Sequence, residues 1–223
     1  MLNNKPSAIL FDLDGTIADT ALDLSATLNH LLTVAGRDTI DHSLVRHMVG
    51  QGAKVLLLKG FSHTGHAPDE EELEELYLQY IDYYIKHIAD ETVLFPGAVR
   101  VLETLRSQDI PLAICTNKNI ELTHALLQEL KIDLLFSAVT CGDSFTFKKP
   151  DPKHLIATCE LMDADPENAI MVGDSINDIK AGNAADMITV GVTFGYTERP
   201  VQEFGPDIVI NHFDEFFDAL NSA

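Results

Sequence analysis

Cysteine is scarce in this chain: Cys115, Cys141 and Cys159 are all it has, an odd number with no C-x-x-C spacing. That argues against a disulfide framework and a thiolate zinc site, and leaves reduced thiols as the expectation. Long apolar runs are missing as well. No stretch approaches the roughly 18 consecutive apolar residues of a membrane helix, and Met1 to Ser7 is too polar and too short for a secretory signal. A cytoplasmic protein with no membrane partner is expected. Basic residues are few: 15 Lys plus Arg stand against 35 Asp plus Glu, a formal net charge of −20. A field of that sign repels nucleic acid and anionic lipid. Small anionic substrates stay open, because charge is screened beyond about 8 Å at physiological salt and a local cation can dominate inside a cleft. No internal repeat or low-complexity tract occurs.

What remains is ordinary globular material. The 223 residues are 46% hydrophobic and 22% charged, which suits one large domain or a core with a smaller insert. Short apolar runs at Ala8–Phe11, Leu112–Cys115, Ala138–Thr140, Ala169–Val172, Ile188–Val192 and Ile208–Ile210 read as buried strands. Between them, Val99–Arg106, Glu121–Leu130, Pro152–Met162 and Ile176–Ala185 carry helical periodicity. Strand and helix in alternation predict an α/β fold, a parallel sheet with helices on both faces.

One region departs from the alternation. From about Ala21 to Val93 the pattern is helical only. One helix carries Leu24, Leu28, Leu31, Leu32 and Ala35, and a second is expected near Leu44–Leu58. A third places Leu73, Leu76, Tyr77, Tyr80, Ile81, Tyr84, Ile85 and Ile88 on one face, behind an acidic first turn at Asp69–Glu72. This reads as an inserted all-helical cap spanning 19–93, between core segments 1–18 and 94–223. Phe95-Pro96-Gly97 marks the return to the core.

The chemistry gathers at strand ends. Asp12-Leu13-Asp14-Gly15-Thr16 puts two carboxylates two residues apart just after the first strand. Both can enter one crevice, and a hard divalent ion such as magnesium would relieve their repulsion. Alone, D-x-D-G is equally a solvated turn. Thr116-Asn117-Lys118 follows the second strand with a hydroxyl and an amide that suit phosphate oxygens, or that merely cap a helix. In Lys148-Lys149-Pro150, Lys149 is the expected buried cation and Lys148 the solvated one. Gly173-Asp174-Ser175-Ile176-Asn177-Asp178 adds a possible metal ligand in Asp174. Asp178 would hold the ion through water or orient Lys149. The four segments together are hard to obtain by chance.

These segments resemble the haloacid dehalogenase-like hydrolase superfamily, in its helical-cap subclass. Within it the chain is similar to phosphoglycolate phosphatases, on the strength of Asp12 through Thr20, the loop Val49-Gly50-Gln51-Gly52-Ala53, and Phe194-Gly195-Tyr196. The resemblance implies a Rossmann-like core and a Mg²⁺-dependent phosphatase acting on a small phosphorylated metabolite, with 2-phosphoglycolate the leading substrate. Asp12 would be the nucleophile that forms an aspartyl-phosphate, and Asp14 the acid and base. Asp12, the Asp14 backbone carbonyl and Asp174 would hold the ion. Thr116, Asn117 and Lys149 would hold the phosphoryl oxygens.

Arg46, Gly50, Gln51, Gly52 and Lys54 are the candidate specificity residues of the cap. Arg46 and Lys54 are considered as partners for a substrate carboxylate, although solvated surface charge is the commoner role. Lys54 and Asp186 depart from the family pattern; Asp186 stands where glycine is usual, at a helix end that Asp tolerates. His63 and His66 read as a polar turn rather than a ligand pair. A phosphosugar mutase, a phosphatase for another substrate such as an amino-sugar phosphate, and a catalytically idle binding module are the alternatives. A monomer or a homodimer fits equally.

Overall fold

The computed structural model describes residues 5–197 and 199–222; the first four residues of the polar N-terminal stretch lie outside this range. In chain order the elements are β1 (Ala8–Phe11), β2 (Ala18–Asp19), α1 (Ala21–Val34), α2 (His42–Arg46), α3 (Ala53–Thr64), α4 (Glu70–Tyr84), β3 (Val93–Leu94), α5 (Ala98–Ser107), β4 (Leu112–Cys115) and α6 (Ile120–Glu129). They continue with β5 (Ala138–Thr140), α7 (Lys153–Glu160), β6 (Ala169–Gly173), α8 (Ile176–Ala184), β7 (Ile188–Val192), β8 (Ile208–Ile210) and α9 (Phe216–Ser222). Six strands form one sheet in the order β5-β4-β1-β6-β7-β8, with every neighbouring pair parallel.

The strands are apolar without interruption because both faces are covered. Side chains alternate across the sheet. Ile9 and Phe11 pack with Val101, Leu105, Leu126 and Phe216 on one face, and Ala8 and Leu10 pack with Leu155, Cys159 and Ala181 on the other. The three cysteines are free and buried. No helix among the described residues is long and apolar enough to cross a membrane.

The strand order fixes where a ligand can sit. From β1 the chain moves to β4 and β5, then returns past β1 to β6 and continues to β7 and β8 on the other side. The lateral direction therefore reverses between the neighbours β1 and β6, which opens a crevice beyond their carboxyl ends. Asp12 follows β1 and Asp174 follows β6, so the sheet delivers both carboxylates to one place.

Helices α1–α4 lie between two chain crossings that pair as a short antiparallel ribbon, Ala18 opposite Leu94 and Asp19 opposite Val93. Their apolar faces join the same core cluster as the sheet. The third expected helix begins at a full capping box, in which Asp69 accepts the Glu72 N–H and Glu72 accepts the Asp69 N–H. Tyr80 and Tyr84 are its buried ring positions. The expected single helix over Leu44–Leu58 is corrected to two, α2 and α3. Gly50 and Gly52 adopt φ of 99° and 92°, left-handed values that no helix interior contains, and the chain between the two helices forms a loop. Asp186 does adopt a left-handed conformation, with φ 55°, just beyond α8.

His154, in the first turn of α7, is fully buried, and neither ring nitrogen has a hydrogen-bond partner. Burial, with help from the nearby Lys149 charge, pushes its pKa down to about 3. Between that value and the unfolded value of about 6.5 only the unfolded chain binds the proton, so this group removes stability as pH falls below about 6.5. His154→Leu is therefore expected to match the wild type at pH 7 and to exceed it by about 2 kcal/mol at pH 5 in urea denaturation. Parallel acid slopes for the two proteins would show that the imidazole is protonated in the fold.

Candidate active site

Three buried carboxylates meet at the sheet switch point. Oxygen atoms of Asp12, Asp174 and Asp178 all lie within 4.8 Å of one another, and among the described residues this is the one group of His, Cys, Asp or Glu able to hold a metal ion. Asp174 receives the Tyr196 N–H at 2.7 Å and a long contact from Thr16 Oγ1 at 3.4 Å. Gly15 and Gly195 make room for it: a Cβ at Gly15 would stand 2.5 Å from Asp174 Oδ2, and one at Gly195 would stand 2.1 Å from Asp174 Cβ. Burial, then the charges of Asp178 and Asp12, raise the Asp174 pKa well above the usual range. The Asp12 pKa is pushed up to about 6, by burial first, with Lys149 pulling the other way. Carboxylate oxygens in excess of cations form a donor set that suits a hard divalent ion. The residues present fit one.

Lys149 is the one ammonium in the cluster. It lies 3.0 Å from Asp12 Oδ1 and donates to Asp178 Oδ1 at 2.6 Å. Burial alone would lower its pKa, but Asp12 and Asp178 outweigh that and raise it. Asp178 orients Lys149 directly, and its second oxygen accepts the Ser175 N–H and hydroxyl at 2.9 and 2.7 Å, which caps α8. The Lys149–Pro150 peptide is cis. Asn117, read from sequence as a phosphate ligand, donates one amide N–H to the Lys149 carbonyl at 3.0 Å, so that part of its role is to hold the lysine segment. Lys148 is exposed, as expected.

Asp14 stands apart from the three-carboxylate cluster. Its side chain accepts from Thr20 Oγ1 at 2.8 Å and from Lys118 Nζ at 3.0 and 3.3 Å. Lys118 also donates to Tyr84 Oη at 3.0 Å. A cavity lies above Asp12 and Asp14, with Thr116, Asn117, Gly50, Gly52 and Leu56 among its walls.

Sequence reasoning passed over Lys118 as a chemical group, although it stands in the Thr116-Asn117-Lys118 segment itself. No spacing in the chain signals it, because its partner Tyr84 comes from α4, a separate segment. Tyr196 is likewise more than a marker of a late loop. Its hydroxyl accepts the Thr20 and Ala21 N–H groups at 2.5 and 3.1 Å and donates to Asp19 at 2.7 Å.

Of the cap residues singled out, Gly50 and Gly52 line this cavity, and Asn177 Nδ2 donates to the Gly50 carbonyl at 3.2 Å. The other three turn elsewhere. Arg46 donates to the Phe194 carbonyl at 3.0 Å and lies over the Tyr196 ring. Lys54 pairs with Glu74 and lies over Tyr77, half-exposed. Gln51 is exposed and lines neighbouring grooves. Neither Arg46 nor Lys54 thus reaches the cavity as a carboxylate partner, because each is occupied by a nearer acceptor or ring. His63 ends α3, and the His66 carbonyl accepts from Arg37.

The family model for haloacid dehalogenase-like hydrolases matches residues 9–192. The chain belongs to that family. Among curated members, the phosphoglycolate phosphatase of Agrobacterium fabrum is 42% identical over 97% of this chain and 92% of its own length. That of Caulobacter vibrioides is 41% identical over 93% and 87%. A crystal structure described as a predicted phosphoglycolate phosphatase from Haemophilus somnus superposes with a TM-score of 0.90 at 29% identity, covering 97% of this chain and 98% of that one. This haloacid dehalogenase-like chain is an enzyme, a hydrolase similar to phosphoglycolate phosphatases.

Removing the one ammonium tests how far the cluster depends on it. Lys149→Met is expected to lower the unfolding free energy by about 3 kcal/mol or more in EDTA, because it leaves buried carboxylates without their cation. A loss below about 1 kcal/mol would mean that protons shared among the carboxylates already neutralise them.

Proposed function

We propose that the chain is a magnesium-dependent phosphatase of small phosphate monoesters, with 2-phosphoglycolate as substrate and an aspartyl-phosphate on Asp12 as intermediate. The observation that carries this reading is Asp12 Oδ1. It is buried at the end of β1 and close to Lys149, yet makes no hydrogen bond. An oxygen in that state is available as a nucleophile.

Asp12 attacks phosphorus as the ester P–O bond breaks, and Asp14 gives a proton to the departing hydroxy-acid oxygen. Asp14 then takes a proton from the water that attacks the phosphoenzyme, which releases inorganic phosphate and restores Asp12. Thr116, Lys149 and the remaining N–H of Asn117 hold the phosphoryl oxygens, and Asp178 fixes Lys149 in place. Asp12, the Asp14 carbonyl and Asp174 would hold Mg²⁺, which supplies Lewis-acid stabilisation of negative charge on the phosphoryl group. Helices α1–α4, within 19–93, act as the cap that excludes water and admits the substrate. The substrate assignment draws on the named relatives.

Phosphate release from 2-phosphoglycolate is expected to require Mg²⁺, to stop in EDTA and to exceed release from hexose phosphates in kcat/KM. Asp12→Asn should lower kcat by roughly 10³-fold or more while the protein stays folded. Label from a ³²P-substrate should remain on Asp12 after an acid quench. Conversion of a hexose 1-phosphate to its 6-phosphate without phosphate release would instead identify a mutase.

Gly195→Ala should weaken Mg²⁺ activation by roughly tenfold or more, because the added methyl displaces Asp174. The check is the Mg²⁺ concentration for half-maximal rate, with circular dichroism to confirm the fold.

A further inference from the structure

Part of the cavity wall is not accounted for by phosphate chemistry. Lys118, Tyr80 and Tyr84 line it beside Leu24 and Leu56, and Lys118 is the one cation on the cavity wall among the described residues. Tyr80 Oη is buried and has no hydrogen-bond partner. A hydroxyl in that state bears its full desolvation cost, and an acceptor brought by a ligand would relieve it. Tyr84 Oη already accepts from Lys118, so its own proton is free to be donated. The two rings lie 5.6 Å apart, and both residues line the cavity. Burial raises both phenol pKa values well above the usual range, and both therefore remain donors.

From this arrangement we infer that Lys118, Tyr80 and Tyr84 form a subsite for the substrate's carboxylate, so that the enzyme selects phosphate esters of small hydroxy acids over phosphate esters of neutral alcohols. The inference rests on the phosphatase reading above and narrows its substrate class. A carboxylate accepts only, and this wall offers an ammonium and two hydroxyl donors in a buried setting where each counts for more than in water. Arg46 and Lys54, the other cations considered for this role, are engaged away from the cavity.

The test compares kcat/KM for 2-phosphoglycolate and for ethyl phosphate, which has the same carbon count and no carboxylate. The wild type is expected to prefer 2-phosphoglycolate by roughly 100-fold or more. Lys118→Gln keeps a donor toward Asp14 and Tyr84 but removes the charge; it should reduce the preference to below about fivefold, chiefly through KM. Lys118→Arg should retain part of it. Tyr80→Phe preserves the ring packing and should lower the preference by roughly tenfold, which decides the matter if Lys118→Gln fails to fold. Equal losses on both substrates would assign Lys118 to Asp14 alone and overturn the subsite. So would a preference that survives both Lys118→Gln and Tyr80→Phe. A wild type that hydrolyses ethyl phosphate as readily as 2-phosphoglycolate would instead remove the hydroxy-acid reading and the subsite together, leaving phosphatase activity intact.

Discussion

Burying Lys149 between Asp12 and Asp178 removes three charged groups from water, and that cost is recovered only while their geometry is held. Much of the surrounding structure serves this geometry. Asn117 grips the Lys149 carbonyl, and Asp178 is itself tied to the first turn of α8 through Ser175. Asp174, the carboxylate with no lysine at ion-pair distance, is held by the Tyr196 backbone and by glycines that leave it space. The cluster carries more negative charge than Lys149 can balance. The same imbalance that destabilises the bare site is what suits it to a divalent ion.

The sheet supplies the convergence. Residues far apart in sequence meet because β1, β4 and β6 are adjacent and parallel, with their carboxyl ends on one side. The order β5-β4-β1-β6-β7-β8 places β1 at the reversal, so a single residue after one central strand faces groups from both neighbours. Tyr196 extends this economy by joining Asp174 on one side to the start of α1 on the other.

The fold was largely legible in the sequence because buried parallel strands are short continuous apolar runs, and Ile9, Ile114 and Met171 sit in such runs between turn-forming residues. The split between α2 and α3 was less legible: Val45, Val49, Ala53 and Leu56 keep a roughly helical spacing, and only the conformations of Gly50 and Gly52 break it. The acidic positions of the site were visible from strand-end motifs. Lys118 was not, because its hydrogen bond to Tyr84 reaches a helix tens of residues away, and a contact between segments leaves no spacing rule in the chain. Arg46 and Lys54 show the reverse case. Charge and position near the cap loop suggested a cleft role, whereas Phe194, Tyr196 and Glu74 offered them nearer partners.

The pairing of Ala18 with Leu94 has an architectural consequence. The chain leaves the sheet layer and re-enters it at neighbouring points, about 5 Å apart as paired strands are. Whatever lies between those points imposes no separation on the strands that flank it. An excursion of different length or composition could be spliced in at the same ribbon without altering the register of β1 against β4 and β6. The inserted helices and the sheet are thus free to change in length and sequence independently of one another.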